Sequence, residues 1–328
     1  MVKQILPLLM LLSVSALAAK PALTVYTYDS FSAEWGPGPA VKKAFEAQCG
    51  CELRYVALED GVSLLNRVRM EGKNSKADVV LGLDNNLLQA AQQTGLFAKS
   101  EVDLHNLTLP GGWRDQTFVP FDYGYFAFVY DKTRLKNPPT SLKELVDSPE
   151  KWRVIYEDPR TSTPGLGLLL WMQKVYGDKA PQAWQKLAQK TVTVTKGWSE
   201  AYGLFLKGEG DLVLSYTTSP AYHLIEEKKE NYAAASFAEG HYLQVEVAAQ
   251  LAGSKQPKLA QQFMQFMLTP AFQNAIPTGN WMYPVIKSEL PAGFQTLSVP
   301  QTALQYSPQQ VAQQRAEWIN AWQRAVSR

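Results

Sequence analysis

The chain has 328 residues, and at about 100–200 residues per domain this length predicts two compact units. Hydrophobic residues make up 46% and charged residues 19%, a balance that can bury a core. Thirty-two Lys and Arg against 30 Asp and Glu leave a net charge of +2, too even for a nucleic-acid binder working through a basic face. No apolar run reaches the ~20 residues of a membrane span, which excludes a polytopic membrane protein. Nine Trp and 15 Tyr stand out, several beside Gly, Ser and Pro.

The first segment reads as an address. Lys3 precedes an apolar stretch from Ile5 to Leu17, and Ala16-Leu17-Ala18 supplies the small-x-small site of a signal peptidase. Residues 1–18 are therefore expected to be a cleaved export signal. No Cys follows directly to take a lipid anchor, so a soluble periplasmic protein is expected. Cys49 and Cys51 are the two cysteines. They lack partners for a zinc site, and a strained disulfide and a pair of free thiols are both compatible with the C-x-C spacing.

Leu23 to Tyr28 reads as a strand, Pro39 to Gln48 as a helix and Cys51 to Val56 as a second strand. Val62 to Glu71 is an amphipathic helix stopped by Gly72, and Ala77 to Leu83 is a buried parallel strand. Phe118 to Tyr130 is a long aromatic segment suited to crossing between lobes, as a single strand or a pair. Further strand–helix units follow from Trp152 to Ser215. Tyr242 to Ala249 could return the chain to the first lobe, and Lys258 to Met267 and Pro308 to Val326 read as helices. The expected fold is α/β: two lobes, two crossing segments and a cleft between them. The first lobe is expected over 19–117 plus about 270–300, the second over 118–269, with a helical segment at 301–328.

Phosphate-loop, nucleophile-elbow and zincin motifs are absent from the sequence. The conspicuous pattern is a set of strand-end turns carrying rings and hydroxyls. Tyr28 leads to Trp35, and Asp60-Gly61 ends the second strand. Ser162-Thr163 opens an apolar helix whose first N–H groups make an anion site. Trp198 opens another helix, Tyr216-Thr217-Thr218-Ser219 leads to Tyr222, and Trp281 lies in a late loop. Each alone is most simply a cap or a packing residue. Together at the carboxyl ends of strands in two lobes, they describe a slot for a flat, cationic heteroaromatic ligand.

Several stretches resemble the periplasmic thiamine-binding proteins of bacterial ABC importers. They include VYTYDSF at 25–31, ALEDGVSLLNRV at 57–68, DPRTSTPGLGLLLWMQ at 158–173, TKGWSEAYGLFLKGE at 195–209, DLVLSYTTSPAYH at 211–223 and TGNWMYPV at 278–285. The resemblance implies a type II solute-binding fold that carries thiamine and its mono- and diphosphate to an inner-membrane permease with its ATPase. It implies no catalysis and no cofactor, and a monomer suffices. It also places Asp60 and Gly61 at the ligand's polar edge, with Asp60 on the aminopyrimidine or thiazolium side, and Ser162 and Thr163 at its phosphate or hydroxyethyl end. Trp198 and Tyr216 to Ser219 become the stacking wall, and Tyr28, Trp35, Tyr222 and Trp281 complete the enclosure. A polyamine or ferric-iron binder on the same fold, or a thiamine-processing enzyme, are the competing readings.

Overall fold

The computed structural model describes residues 17–328, so the expected export signal lies almost wholly outside the described residues. The first lobe opens with β1 (Ala22–Tyr28), α1 (Gly38–Cys49), β2 (Glu52–Leu58), α2 (Gly61–Glu71) and β3 (Val79–Asp84). Parallel pairing of β1 with both β2 and β3 follows from the helical crossovers between them. All six residues of β3 are buried, which explains their continuous apolar run. Cys49 and Cys51 form a disulfide with Cα atoms 5.1 Å apart.

A single 13-residue strand, β4 (Val119–Asp131), joins the lobes. The second lobe then holds β5 (Val154–Glu157), α3 (Thr163–Tyr176), α4 (Ala180–Ala188), β6 (Thr191–Thr195), α5 (Trp198–Leu206), β7 (Leu212–Tyr216) and α6 (Ser219–Glu226). The chain returns along β8 (His241–Leu251), continues as α7 (Pro257–Phe266) and ends in α8 (Pro308–Val326).

The strand order is β2-β1-β3-β8-β4 in one sheet and β4-β7-β5-β6 in the other. Residues 119–125 of β4 pair with β8, whereas 126–129 pair with β7, both antiparallel. One strand therefore belongs to both sheets.

The second lobe is expected to reach residue 269, and the later part of that span packs on the first lobe. β8 is hydrogen-bonded to β3, and α7 packs on α1 through Phe45, whose ring centroid lies 5.2 Å from both Phe263 and Phe266. Burying such rings contributes about 1.5–3 kcal/mol each, and it ties 246–266 to the first lobe, while His241 at the start of β8 still packs on Trp171 of the second.

Helix α8 carries a capping box, with Ser307 accepting from the Gln310 N–H and the Gln310 side chain accepting from Ser307. It packs on α4 of the second lobe and on the short helix Leu88–Gln93 of the first. Trp322 Nε1 donates to the Tyr156 hydroxyl at 3.1 Å. The terminal segment left without a lobe by the sequence thus bridges both.

Asp84, at the end of β3, is fully buried and accepts from the Asn86 backbone and side chain. Burial outweighs these bonds and lifts its carboxyl to about 7. Because the folded pKa lies above the unfolded one, the folded state binds this proton more tightly. The wild type should gain stability relative to Asp84→Asn as pH falls through 7, with the gain levelling off near ~4. Thermal melts of the two proteins between pH 8 and pH 4 check this; parallel curves would contradict it.

Candidate functional site

Between the lobes lies a cavity of about 290 Å³, near the lower bound of the ~300–1,000 Å³ typical of small-molecule sites. Its edge is closed by Asp60, the residue before α2. The Asp60 carboxylate accepts from its neighbour Gly61 N–H at 2.7 Å. From the opposite lobe it accepts from Ser162 Oγ at 2.9 Å, Thr163 N–H at 3.3 Å and Trp198 N–H at 3.1 Å. The N-termini of α2, α3 and α5 converge on this one carboxylate, a favourable place for negative charge. Burial nonetheless lifts its pKa to about 6, with the four donors pulling the other way.

This geometry corrects the expectation of an open anion site at Ser162 and Thr163. Their donors are already engaged by Asp60, and Ser162 Oγ also caps α3 by accepting from Gly165 N–H. What remains is Thr163 Oγ1, which is buried without a partner among the described residues and belongs to a residue lining the cavity.

Two glycines permit the close approach. A Cβ on Gly61 would lie 2.0 Å from Thr163 Oγ1, and one on Gly197 would lie 2.6 Å from the Glu59 carbonyl oxygen. Further bonds hold the same edge: Ser63 N–H to the Thr161 carbonyl at 3.0 Å, and Ser199 Oγ to Asp29 Oδ1 at 2.9 Å.

The walls are aromatic and come from both lobes. Trp35 from the first lobe faces Trp198 from the second at 6.3 Å between ring centroids. Tyr222 meets Trp281 edge-on at 5.3 Å. Trp198 is held by a bond from Nε1 to Ser215 Oγ at 2.8 Å and by stacking on Tyr202 at 5.0 Å. Tyr202 in turn stacks on His223 and bonds it through its hydroxyl, and His223 stacks on Tyr232. Four rings in series fix the orientation of the wall before any ligand arrives.

Trp281 takes a left-handed backbone, φ 56°, directly after the irregular turn Ile276–Asn280. For a bulky residue this conformation costs of order 1–3 kcal/mol, and here it belongs to a ring that lines the cavity.

The structure brings Tyr28, Trp35, Asp60, Thr163, Trp198, Tyr216, Ser219, Tyr222 and Trp281 to the cavity. Gly61 and Ser162 lie behind its closing edge. Thr217 and Thr218 are buried in the loop, where the Thr217 N–H donates to the Tyr125 carbonyl and Thr218 Oγ1 bonds the Trp281 carbonyl. Sequence reasoning missed Tyr202, Gln244, Glu246, Asn280 and Met282, which also line it. Tyr202 stands one helical turn beyond Trp198, and Gln244 and Glu246 alternate along β8, so the 4-residue and 2-residue periods carried the signal. The charged residues lining the cavity are Glu59, Asp60 and Glu246, all acidic. Among the described residues, no three His, Cys, Asp or Glu side chains are grouped to hold a metal ion.

Residues 36–274 match the family model of bacterial extracellular solute-binding proteins. The chain belongs to this family. It is 77% identical over its full length, and over the full length of the relative, to a protein of Salmonella typhimurium named thiamine-binding periplasmic protein. A solved structure titled periplasmic thiamin binding protein superposes with a TM-score of 0.93 at 78% identity, covering 94% of this chain and 97% of that one. Iron-bound HitA from Pseudomonas aeruginosa shares the fold with a TM-score of 0.76, at 23% identity over 93% of this chain and 99% of its own. The two-lobed α/β architecture and the family resemblance read from the sequence are both borne out. The role the relatives' names describe is binding, not catalysis.

Gly197→Ala should obstruct closure, because each near neighbour of the added methyl lies in the opposite lobe. Ligand affinity is expected to fall by at least about tenfold, or ~1.4 kcal/mol, while the melting curve of the unliganded protein barely moves. Calorimetry and thermal melts measure both; unchanged affinity would show that the lobes need not approach this closely.

Proposed function

We propose that this protein binds thiamine in the interlobe cavity and delivers it, after export to the periplasm, to an ABC permease. The observation that carries the reading is a cavity with aromatic walls whose charged lining groups, among the described residues, are all acidic. Such a site stabilises a flat organic cation by stacking, by cation–π contact and by uncompensated negative charge. The naming of the full-length relatives supports the same ligand.

Thiamine has about 18 non-hydrogen atoms, and nanomolar affinity needs roughly −12 kcal/mol, or about −0.7 kcal/mol per atom. That yield is high for a ligand of this size and requires contact on most of its surface. The closed edge at Asp60 and the opposed rings of Trp35 and Trp198 supply the enclosure. The mono- and diphosphate belong to the same proposal. The closed form, in which the lobes share the Asp60 bonds, is the form the permease recognises.

Native mass spectrometry of protein purified from cells should show a retained mass equal to thiamine or one of its phosphates. Spermidine should not displace thiamine, as followed by Trp fluorescence. A retained polyamine, or efficient displacement by one, would overturn the reading. Trp35, 55% exposed, offers a clean mutational check: Trp35→Ala should weaken thiamine binding about tenfold, within the range of a lost stacking and cation–π contact, without lowering the melting temperature.

A further inference from the structure

The polar floor of the cavity contains a carboxyl pair with an unusual economy of protons. Glu246 on β8 and Asp122 on β4 are direct cross-strand partners, and both are buried. Glu246 lines the cavity and Asp122 lies behind it. Gln244 Nε2 donates to Glu246 Oε1 at 3.1 Å, and Asn280 Nδ2 donates to Asp122 Oδ2 at 2.6 Å. Asp122 Oδ1 is buried with no protein donor. No Lys, Arg or His lines the cavity among the described residues.

Two adjacent carboxylates without a cation cannot both remain ionised. A proton on Glu246 resolves the arrangement, because its hydroxyl then donates to the orphaned Asp122 Oδ1. The pair keeps one negative charge, and the carbonyl oxygen of Glu246 faces the cavity as an acceptor. Burial pushes both groups upward, Asp122 to about 7 and Glu246 well above the ordinary range, and their mutual repulsion adds to the rise at Glu246. The surrounding ionisable groups do not supply a counter-charge. Tyr28 holds its proton because burial lifts its phenol, Asp60 adds negative charge, and Asp84, on the other flanking strand, bonds Asn86.

We infer that Glu246 acts as a neutral acid, proton-bonded to Asp122, and reads an amino N–H on the ligand's heteroaromatic ring. This rests on the thiamine reading and assigns the aminopyrimidine amine to the β8–β4 floor. A ligand whose amine is replaced by an oxo group sets carbonyl against carbonyl there and loses one hydrogen bond, leaving Gln244 Nε2 as the donor to Glu246 Oε1.

The experiment compares thiamine with oxythiamine, its 4′-oxo analogue, by calorimetry. The wild type should prefer thiamine by about tenfold to a hundredfold, the cost of one lost buried hydrogen bond with a carbonyl set in its place. Glu246→Ala should weaken thiamine by that factor, leave oxythiamine little changed and so erase the preference. Glu246→Gln should restore it, since its amide donates to Asp122 Oδ1 and its carbonyl faces the cavity as the acid does. Melts of the unliganded variants establish that each is folded, and the near-isosteric Gln variant carries the test if the Ala variant is not. If Glu246→Gln loses the preference as Glu246→Ala does, the group works as an ionised carboxylate and the inference is wrong. If Glu246→Ala keeps the preference, the amine is read elsewhere. A wild type that binds neither compound removes the thiamine reading and this inference with it.

Discussion

One buried carboxylate organises the closed molecule. Asp60 accepts one hydrogen bond from its own lobe and three from the other, so the lobes meet over a charge that neither could bury alone. A lone carboxylate in such a place would be severely destabilising, and its donors are what make the burial tolerable. The other features at this edge follow from that contact. Gly61 leaves room for the Thr163 hydroxyl from the other lobe and the Gly82 carbonyl of its own, and Gly197 leaves room for the Glu59 carbonyl across the cleft. Ser162 serves two masters, capping its helix and donating to Asp60.

The cavity behind this contact is built to be rigid where it stacks and adaptable where it bonds. Trp198 is pinned from behind by Tyr202, His223 and Tyr232, so little rotamer entropy is left to lose on binding. The floor instead presents groups with more than one hydrogen-bonding role: Tyr28, Tyr216, Gln244, Glu246 and Asn280. The Tyr216 hydroxyl bonds Gln244, which bonds Glu246. A network of this kind is strong when complete and costly when one member is unmatched. On the proposed reading, selectivity resides in the floor and affinity in the walls.

Much of this was legible in the sequence because it is written in local periods. The continuous apolar run of β3 and the aromatic run of β4 announced a doubly buried strand and a crossing strand. The ring-bearing turns after β1, β6 and β7 announced the cleft. Long-range pairing was legible only in outline: Tyr242–Ala249 reads as a segment returning to the first lobe, but nothing in it names β3 and β4 as its neighbours. The same limit hid the capture of the Ser162–Thr163 donors by Asp60, 102 residues away in the chain. It also hid Asp122 and Glu246, which become partners only once two distant strands lie side by side. An acidic residue in a strand has no signature of its own; its neighbours across the sheet give it one.

The terminal helix changes what opening can mean. Since α8 is fastened to α4 on one side and to Leu88–Gln93 on the other, the halves are not two beads on a pair of strings. A splint runs along one flank, and Trp322 is riveted to Tyr156 beneath it. Gaping is therefore asymmetric, like a book whose spine is glued: the pages part at the fore-edge, while the bound side flexes by small slides of packed side chains.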